Sequence, residues 1–374
     1  MRVVVVGAGI TGLSAAFHLL ERGLGPVTVV DAAGIGAGAS RLAPGGVRQQ
    51  WGSRAGCLVA RESYRVYLHL AERLGVRVAA RFDPCGYLFL ADSDETLAQL
   101  EANVAIQQEA GVPSEVVTPA RISKLVRGLR PGGAAGGAYC AEDGYFDRPQ
   151  AVVTAFADAA RRLGATFERA EVHALERDGA GWRVVADAGA YATDAVVVAA
   201  STGTRGLVAP LGVELPIVRE PRYLLLSEPR AERILEPLVI AVDRGVAAKQ
   251  LADGRLLASD LRATGEPGAA ADRWRTNVRR VLADLLPAAA GLPLPTVVEG
   301  FYDTTPDAQP VVDEVADGLW VAAGFSGHGF MLAPSTGSLV AAGVAGDELP
   351  AWHEAFALDR FAHRGERNPD PQVI

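Results

Sequence analysis

The sequence predicts an α/β protein with enough residues for two or three domains. Its first 31 residues form a β-α-β pattern, in which a glycine-rich turn joins a buried strand to a helix. Strand and helix patterns continue to alternate along the chain, which is typical of α/β folds. The 374 residues are also more than twice the usual domain length of about 150 residues.

The opening pattern consists of a strand, a helix and a second strand. Four consecutive valines over 3–6 suit a strand that is buried on both faces. A helix follows, because apolar residues recur at helical spacing until Gly23 ends it. A second buried strand, Val27–Val30, ends at Asp31.

The later elements are less regular, and residues 34–46 are the most ambiguous of them. These residues are rich in Gly, Ala and Ser, so they form either a low-complexity linker or a loop folded around a ligand. Their position directly after Asp31 favours the loop. The remaining predicted elements, in chain order, are a helix over about 53–74, a strand over 85–91, a helix over 94–110, extended structure over 139–145, a helix over 149–163, short strands between 165 and 200, a strand-rich region over 216–262, a helix over 271–285 and a final block over 302–347.

Composition and charge exclude several classes of protein. The 36 Lys and Arg against 44 Asp and Glu give a net charge of −8, which argues against nucleic-acid binding or attachment to anionic membranes. The widely spaced Cys57, Cys85 and Cys140 form no CxxC pair, so we expect buried thiols, no disulfide framework and no metal site. Since no apolar run reaches about 20 residues, we expect no membrane span and a cytoplasmic location.

A dinucleotide-binding motif lies between the first strand and the helix. The segment Gly7-Ala8-Gly9-Ile10-Thr11-Gly12 is a GxGxxG motif, and Asp31 follows about 20 positions later. Gly7 permits the tight turn, Gly9 lets a pyrophosphate approach the backbone, and Gly12 lets the helix pack on the strand. Asp31 can accept hydrogen bonds from ribose hydroxyls and would repel a 2′-phosphate. This motif predicts a Rossmann-like domain but does not separate FAD from NAD.

Three further blocks carry a resemblance to a known family. They are 36–51 (GAGASRLAPGGVRQQW), 302–310 (YDTTPDAQP) and 323–334 (AGFSGHGFMLAP). In this order they resemble the D-amino-acid-oxidase-like flavoproteins, over about residues 2–350. Within that family the chain is most similar to the FAD-bearing β subunits of sarcosine oxidases and of dye-linked L-proline dehydrogenases. The resemblance implies FAD as the cofactor.

The resemblance also implies which residues contact FAD. Gly300 stands where some members carry a cysteine bonded to the flavin, so we expect non-covalent FAD. A helix beginning near Gly329 would direct its N-terminus at the pyrimidine end of the flavin and stabilise negative charge there. The implied cofactor-binding residues are Gly7, Ala8, Gly9, Ile10, Thr11, Gly12, Asp31, Ala32, Gly38, Ala39, Ser40, Gly46, Val47, Arg48, Val172, Ser201, Gly324, Gly327, His328, Gly329, Phe330 and Met331.

The expected architecture is two interleaved domains. A Rossmann-like FAD domain would combine residues 1–80, 147–215 and 300–374. A substrate domain would combine 81–146 and 216–299 around a mixed or antiparallel sheet. The flavin would lie between them, where ligand pockets often form.

Departures from the family pattern bear on the substrate. Trp51 and Met331 stand where the monomeric sarcosine oxidases have basic residues, and the glycine-oxidase arginine is missing from 299–302. The usual carboxylate-binding residues are therefore absent, and the remaining cations are Arg48, Arg222 and Lys249. The candidate catalytic or pocket residues are Arg48, Tyr223, Lys249, Tyr302 and His328. An ordinary surface ion pair and a turn histidine are the competing interpretations of Arg48 and His328.

The expected reaction is oxidation of the C–N bond of an amine by hydride transfer to flavin N5. A secondary or N-methyl amino acid of the sarcosine or proline type is the expected substrate. No lysine occurs in 256–260, where sarcosine-type oxidases place one over the flavin; this favours an acceptor protein or dye over O2.

Alternative functions remain open at this point. The chain could be the FAD-carrying subunit of a hetero-oligomer, an oxidase of a non-carboxylate amine, or a protein that holds FAD without turnover. An NAD-dependent dehydrogenase would leave the block at 323–334 without a role. Substrate identity, chirality and oligomeric state are not given by the sequence.

Overall fold

The computed structural model describes residues 1–130, 133–266 and 270–362. Its strands are β1 (Val3–Val6), β2 (Val27–Asp31), β3 (Gly46–Val47), β4 (Phe82–Asp83), β5 (Tyr87–Ala91), β6 (Ser114–Val117), β7 (Gly136–Cys140), β8 (Gly144–Phe146), β9 (Thr166–Arg169), β10 (Val172–Asp178), β11 (Gly181–Ala186), β12 (Gly189–Thr193), β13 (Ala195–Val198), β14 (Val218–Leu226), β15 (Leu238–Ala241), β16 (Val246–Gln250), β17 (Leu256–Asp260), β18 (Thr296–Thr304), β19 (Val311–Ala316) and β20 (Leu319–Ala323). Its α-helices are α1 (Ile10–Glu21), α2 (Arg54–Leu68), α3 (Leu70–Leu74), α4 (Asp94–Glu109), α5 (Pro119–Leu125), α6 (Pro149–Arg162), α7 (Thr204–Val208), α8 (Ala270–Leu285) and α9 (Gly329–Ala345).

These elements confirm the α/β class and the β-α-β opening. The helix expected over 53–74 is two helices, because His69 leaves the helical conformation between α2 and α3. The ambiguous segment 34–46 contains a short 3-10 helix, Ala39–Leu42.

A parallel sheet of order β19-β20-β13-β1-β2-β9 forms the first half of the fold. β1 pairs in parallel with both β13 and β2, and only β19 runs antiparallel within this sheet. The four valines of β1 are all buried, as expected for a strand covered on both faces. Val3 and Val5 pack towards α1, α6 and α9, whereas Val4 and Val6 pack towards the small sheet β10-β11-β12.

Two helices begin at the same edge of this parallel sheet. Helix α1 follows β1 and helix α9 follows β20, and both strands point in the same direction through β13. The two helices pack closely, since a methyl group added at Gly337 of α9 would overlap Ser14 of α1. Their N-termini therefore open on one region beyond the carboxyl ends of the strands, where ligands bind in such folds.

A larger mixed sheet forms the second half, in the order β18-β14-β17-β16-β15-β5-β7-β6. Its pairs are antiparallel apart from β15 with β5. One face packs against α5 and α8 through apolar residues such as Leu225, Leu256 and Val281. The other face carries Tyr87, Lys249 and Arg222 and lies over the edge where α1 and α9 begin.

The two halves draw on the expected segments, but β18 continues to Thr304, past the boundary expected at 299/300. The division into two domains at those positions stays a prediction. None of the helices in the described ranges is long and apolar enough to cross a bilayer. Within the same ranges, no group of His, Cys, Asp and Glu side chains is arranged to hold a metal ion.

Candidate active site and cofactor cleft

A cavity of about 670 Å³ lies between the edge of the parallel sheet and the large sheet. Its volume is within the range of about 300–1,000 Å³ that is usual for ligand and cofactor sites. The predicted site residues in its wall are Gly7, Gly9, Ile10, Thr11, Asp31, Ala32, Gly38, Ala39, Ser40, Val172, Ser201, Tyr302, Gly327, Gly329 and Phe330. The structure therefore brings together residues from both ends and the middle of the chain.

The remaining predicted site residues are not part of the cavity wall. Some lie immediately beside wall residues in the same turns or in α9: Ala8, Gly12, Gly324, His328 and Met331. The side chains of Val47 and Met331 are buried in the core of the parallel-sheet half. A methyl group at Gly46 would overlap the hydroxyl of Tyr87, so this glycine permits close packing between strands.

The N-terminus of α1 is shaped for a phosphate group. Gly9 is the N-cap and has no side chain to occupy the free N–H groups of the first turn. The N–H of Ile10 donates to Ser40 Oγ at 2.9 Å, which fixes the second cofactor loop beside the helix. A methyl group at Gly12 would overlap the carbonyl oxygen of Gly7, so Gly12 is required by packing whereas Gly9 faces the cavity. The free N–H groups and the helix dipole favour an anion here.

Asp31 lies at the end of β2 and fastens two loops. Its Oδ2 accepts from the N–H of Ala8 at 2.8 Å, and its Oδ1 accepts from Ala33 at 2.8 Å and Gly34 at 2.7 Å. The carboxylate also belongs to the cavity wall, beside Ala32. Its position fits the ribose-binding role expected from the motif, and it has a structural role that the motif did not indicate.

The turn before α9 is built around a buried carboxylate. Asp303 Oδ2 accepts from the N–H of Gly324 at 2.9 Å, and its carbonyl accepts from Ser326 at 2.9 Å. Burial raises the pKa of Asp303. Gly327 has φ +88°, and a methyl group there would overlap the ring of Tyr302. The sequence analysis did not single out Asp303, although it lies inside the YDTTPDAQP block. The reason is that its hydrogen-bond partners, Gly324 and Ser326, are about 20 residues away in the chain.

Arg48 and His328 form a buried polar pair next to this turn. Arg48 is only 2% exposed, so its interpretation as a surface ion pair is wrong. Its guanidinium donates to the carbonyl of Gln50 and lies 4.5 Å from the ring of Trp51. A second nitrogen lies 3.3 Å from His328 Nε2. Because a guanidinium can only donate, Nε2 accepts and the imidazole proton resides on Nδ1.

His328 is therefore a neutral donor held inside the protein. Burial, and secondly the positive charge of Arg48, lower the pKa of His328 well below its usual range. Its Nδ1 is buried and meets no acceptor in good hydrogen-bond geometry among the described residues, although the backbone of Phe325 lies near the imidazole and partly opposes the fall in pKa. Such a donor is costly unless a ligand completes it. This orphaned atom, at the start of α9, is the observation that best fits a bound flavin or substrate.

Asp143 binds the two residues that follow Arg48 in the chain. Its Oδ1 accepts from the N–H of Gln49 at 2.9 Å, and its Oδ2 accepts from Gln50 Nε2 at 3.1 Å. Asp143 is fully buried, and burial raises its pKa to about 6. Sequence reasoning missed this residue, because nothing in the turn between β7 and β8 indicates that it meets residues 49 and 50.

Tyr223 is not a pocket residue, and that prediction is wrong. Side chains alternate between the two faces of β14, so Arg222 and Leu224 line the cavity while Tyr223 points the other way. Tyr223 stacks on Trp274 of α8 at 4.2 Å between ring centroids and donates to the carbonyl of Gly265.

Lys249 lies in a strand behind the cavity wall. It belongs to β16, and its Nζ donates to the carbonyl of Pro44, a cavity-lining residue of the second cofactor loop, at 2.5 Å. Its ammonium also lies 3.9 Å from the ring centroid of Tyr145. Burial lowers the pKa of Lys249 to about 8. Its partner in β17 is Leu257, and Ser259 of the same strand pairs with Ala247.

Comparisons with known proteins show the same fold. The model of the family described as "FAD dependent oxidoreductase" matches residues 2–342. L-Proline dehydrogenase from P. horikoshii has a TM-score of 0.87 and 28% identity, covering 96% of this chain and 97% of that one. Glycine oxidase from Geobacillus kaustophilus has a TM-score of 0.83 and 25% identity, covering 97% and 99%.

A curated relative is longer than this chain. The 4-methylaminobutanoate oxidase (formaldehyde-forming) of Paenarthrobacter nicotinovorans is 28% identical over 98% of this chain, and the match spans 46% of that relative's length. The match of the family model over nearly the whole chain, together with the fold and the cofactor cleft, shows that the chain belongs to the FAD-dependent oxidoreductases of the D-amino-acid-oxidase-like family.

Proposed function

We propose that this FAD-dependent enzyme acts on amine donors and oxidises the C–N bond of a secondary or N-methyl amino acid of the sarcosine or proline type. The observation that carries the proposal is the orphaned Nδ1 of His328, a neutral donor beside a buried arginine at the N-terminus of α9. The similarity to L-proline dehydrogenase and to 4-methylaminobutanoate oxidase supports a secondary amine.

The cleft fits non-covalent FAD. Bound FAD would accept two electrons from the substrate. The N-terminus of α1 would hold the pyrophosphate, Asp31 the ribose, and the N-terminus of α9 would stabilise negative charge at the pyrimidine end. Gly300 offers no thiol for a covalent bond, and its Cα faces Leu42 of the second cofactor loop, 3.3 Å from where a Cβ would lie.

The chain's own residues would orient the amine and exclude water. No general base is required if the amine binds deprotonated, and the neutral His328 would serve as a hydrogen-bond donor. The guanidinium of Arg48 is held in place by the carbonyl of Gln50 and the ring of Trp51. The ring of Tyr302 packs over the turn at Gly327. Apolar side chains in or next to the large sheet complete the wall and would keep water out: Leu224, Leu261 and Val298.

The electron acceptor is a separate part of the proposal. β17 contains Leu257 and Ser259 but no lysine, which supports an acceptor protein or a dye as the electron acceptor. Lys249 lies one strand away, in β16, and supports O2 as the acceptor instead. A second candidate function is an FAD-carrying subunit or region of a larger enzyme, because the chain spans about half of the 4-methylaminobutanoate oxidase that it matches.

An anaerobic titration tests the proposal. The purified protein is mixed with sarcosine, L-proline, D-proline, glycine and dimethylamine, and the flavin absorbance near about 450 nm is followed. We expect bleaching by a secondary amino acid. Readmitted air then compares oxidation by O2 with oxidation by an added dye. A protein that retains FAD but is bleached by none of these amines, with or without candidate partner subunits, would contradict the proposed function.

A further inference from the structure

The cavity contains one cation in its wall, among the residues that the structure describes. The three cations near the cleft are Arg48, Arg222 and Lys249, and only Arg222 lines the cavity. Arg48 is enclosed by Gln50, Trp51 and His328, and Lys249 donates to the carbonyl of Pro44 behind the wall. A negatively charged group that enters the cavity would therefore meet Arg222.

The backbone setting of Arg222 places it over the cofactor cleft. It lies in β14, directly opposite Gly300 of β18, and both residues belong to the cavity wall. Gly300 has no side chain, and Leu42 of the second cofactor loop lies 3.3 Å from where its Cβ would be. Its guanidinium carbon lies 5.0 Å from the ring centroid of Tyr302, the residue that covers the turn before α9.

The guanidinium of Arg222 is held by two hydrogen bonds within the protein, and these do not occupy all of its N–H groups. One nitrogen donates to Glu220 at 2.7 Å and another to the carbonyl of Pro221 at 3.0 Å. A guanidinium has five N–H groups, so these two bonds leave three for a ligand. Its side chain is 31% exposed, which leaves it accessible from the cavity without the full cost of burying a cation.

Several of the cavity-lining side chains near Arg222 are apolar. Leu224 lies two residues further along β14, Val298 faces it from β18, and Leu261 follows β17. A ligand with one anionic end and a hydrocarbon body is complementary to this combination, because the carboxylate gains charge-assisted hydrogen bonds and the carbons avoid water.

We infer that Arg222 binds the carboxylate of the substrate, so that the enzyme is selective for secondary amines that carry a carboxylate. The inference rests on the proposed function. It assigns the carboxylate to a residue of the cavity wall, while Arg48 and His328 are buried outside that wall. Tyr302 lies near Arg222, at 5.0 Å from its guanidinium carbon, and its ring also packs over Gly327.

The test compares two variants of Arg222 with a matched control. Arg222→Met removes the charge and the donors, and Arg222→Lys keeps the charge but loses the planar fork. The control is Arg219→Met, which removes an arginine from the same strand whose guanidinium stacks on Phe301 at 3.4 Å and does not line the cavity. FAD absorbance and melting temperature establish that each variant is folded and loaded.

Binding is measured first without turnover. Tetrahydrofuran-2-carboxylate has the shape of proline but no amine to oxidise, and its binding is followed by the change that it causes in the visible spectrum. We expect Arg222→Met to weaken this binding about 10- to 100-fold, Arg222→Lys to weaken it less, and Arg219→Met to change it less than about 3-fold. Equal binding to wild type and Arg222→Met would overturn the inference.

Reduction of the flavin gives the second readout. L-Proline and pyrrolidine differ only by the carboxylate, so the ratio of their kcat/KM values isolates its contribution. We expect wild type to prefer proline and Arg222→Met to lose most of that preference, because its kcat/KM falls further with proline than with pyrrolidine. A wild-type enzyme that oxidises pyrrolidine as well as proline would overturn the inference but leave the proposed function standing. If no amine reduces the wild type, the proposed function fails, and the binding measurement still tests Arg222.

Discussion

Asp143 Oδ1 accepts a hydrogen bond from the backbone N–H of Gln49 at 2.9 Å, one residue beyond Arg48. The other carboxylate oxygen accepts from Gln50 Nε2 at 3.1 Å, and the Gln50 carbonyl in turn accepts from Arg48. The position of the buried arginine is therefore set by a carboxylate that comes from a different part of the chain.

Asp143 makes the stability of the protein depend on pH. Burial raises its pKa to about 6 from an ordinary value of 3.8. Between these values the folded protein holds a proton that the unfolded chain has lost, so the free energy of unfolding falls as the pH rises from about 4 to about 6. A pKa difference of about 2 corresponds to about 3 kcal/mol.

We expect Asp143→Asn to remove this contribution. The melting temperature of the variant relative to wild type should therefore rise between pH 4.5 and pH 7. The charged or titratable groups near Asp143 include Arg48, Cys140 and Tyr87, and all of them are kept in the variant. Parallel pH profiles for the two proteins would show that Asp143 does not titrate in this range.

The two glycines of the α1 turn should respond differently to alanine. A Cβ at Gly9 would lie 3.3 Å from Ser40 Oγ, a contact that a small movement of the serine relieves. A Cβ at Gly12 would overlap the backbone carbonyl of Gly7, which cannot move without displacing α1.

We therefore expect Gly9→Ala to fold with a melting temperature close to that of FAD-free wild type but to bind FAD at least 10-fold more weakly. Gly12→Ala should lower the FAD-free melting temperature itself. Titration with FAD and thermal denaturation without it separate the two effects. Full FAD affinity in Gly9→Ala would show that the pyrophosphate does not approach this turn.

The residues that sequence reasoning located well are those whose role is local. The glycines at 7, 9 and 12 and the carboxylate of Asp31 lie in one β-α-β unit, so their spacing alone predicts their arrangement. Asp143 and Asp303 act on backbone groups that are distant in sequence, and only strand pairing brings these together. No local pattern marks such residues.

The face of a strand is also hard to predict when both faces are covered. β14 contacts the cavity on one side and α8 on the other, so polarity does not indicate which side Tyr223 occupies. The stacking of Tyr223 on Trp274 and the place of Arg222 in the cavity wall settle the orientation, and neither could be read from the sequence.

Tyr223 and Tyr302 should therefore behave differently when each loses its hydroxyl. Tyr223→Phe removes the hydrogen bond to Gly265, which we expect to cost about 1 kcal/mol in the free energy of unfolding and to leave kcat and KM within about 2-fold. Tyr302→Phe should change KM for the amine more than it changes stability. Steady-state kinetics and thermal denaturation of both variants provide the comparison. Kinetic damage from Tyr223→Phe alone would contradict the assignment of its face.

Lys249 should make stability depend on pH in the opposite direction to Asp143. Burial lowers its pKa to about 8 from 10.5, so the unfolded chain binds a proton that the folded protein has released. The free energy of unfolding therefore rises between about pH 8 and pH 10.5, by about 3 kcal/mol in total.

Lys249→Met should abolish that rise. We expect its melting temperature relative to wild type to fall between pH 7.5 and pH 10. It should also release FAD faster, because the hydrogen bond to Pro44 of the second cofactor loop is lost. Unchanged FAD release would mean that the loop is held by its other contacts, including the one from Ile10 to Ser40.

The ion pair between Arg360 and Asp307 ties the end of the described chain to the turn that leads into the cleft. Arg360 Nε donates to Asp307 at 2.8 Å, and one terminal nitrogen donates to the carbonyl of Gln309 at 2.8 Å. The Arg360 side chain is fully buried. Asp307 follows Asp303 by four residues, so loosening this turn would reach the carboxylate that holds Gly324.

Arg360→Met leaves Asp307 buried without its counter-charge, a change that costs about 3–5 kcal/mol in comparable pairs. We expect a lower melting temperature and loss of FAD at a lower temperature than in wild type. Arg183→Met is the matched control, because Arg183 and Glu176 form an exposed pair that contributes less than about 1 kcal/mol. If both variants melt at the wild-type temperature, the buried pair adds nothing to stability. If Arg360→Met unfolds earlier but releases FAD only on unfolding, the turn does not transmit the change to the cleft.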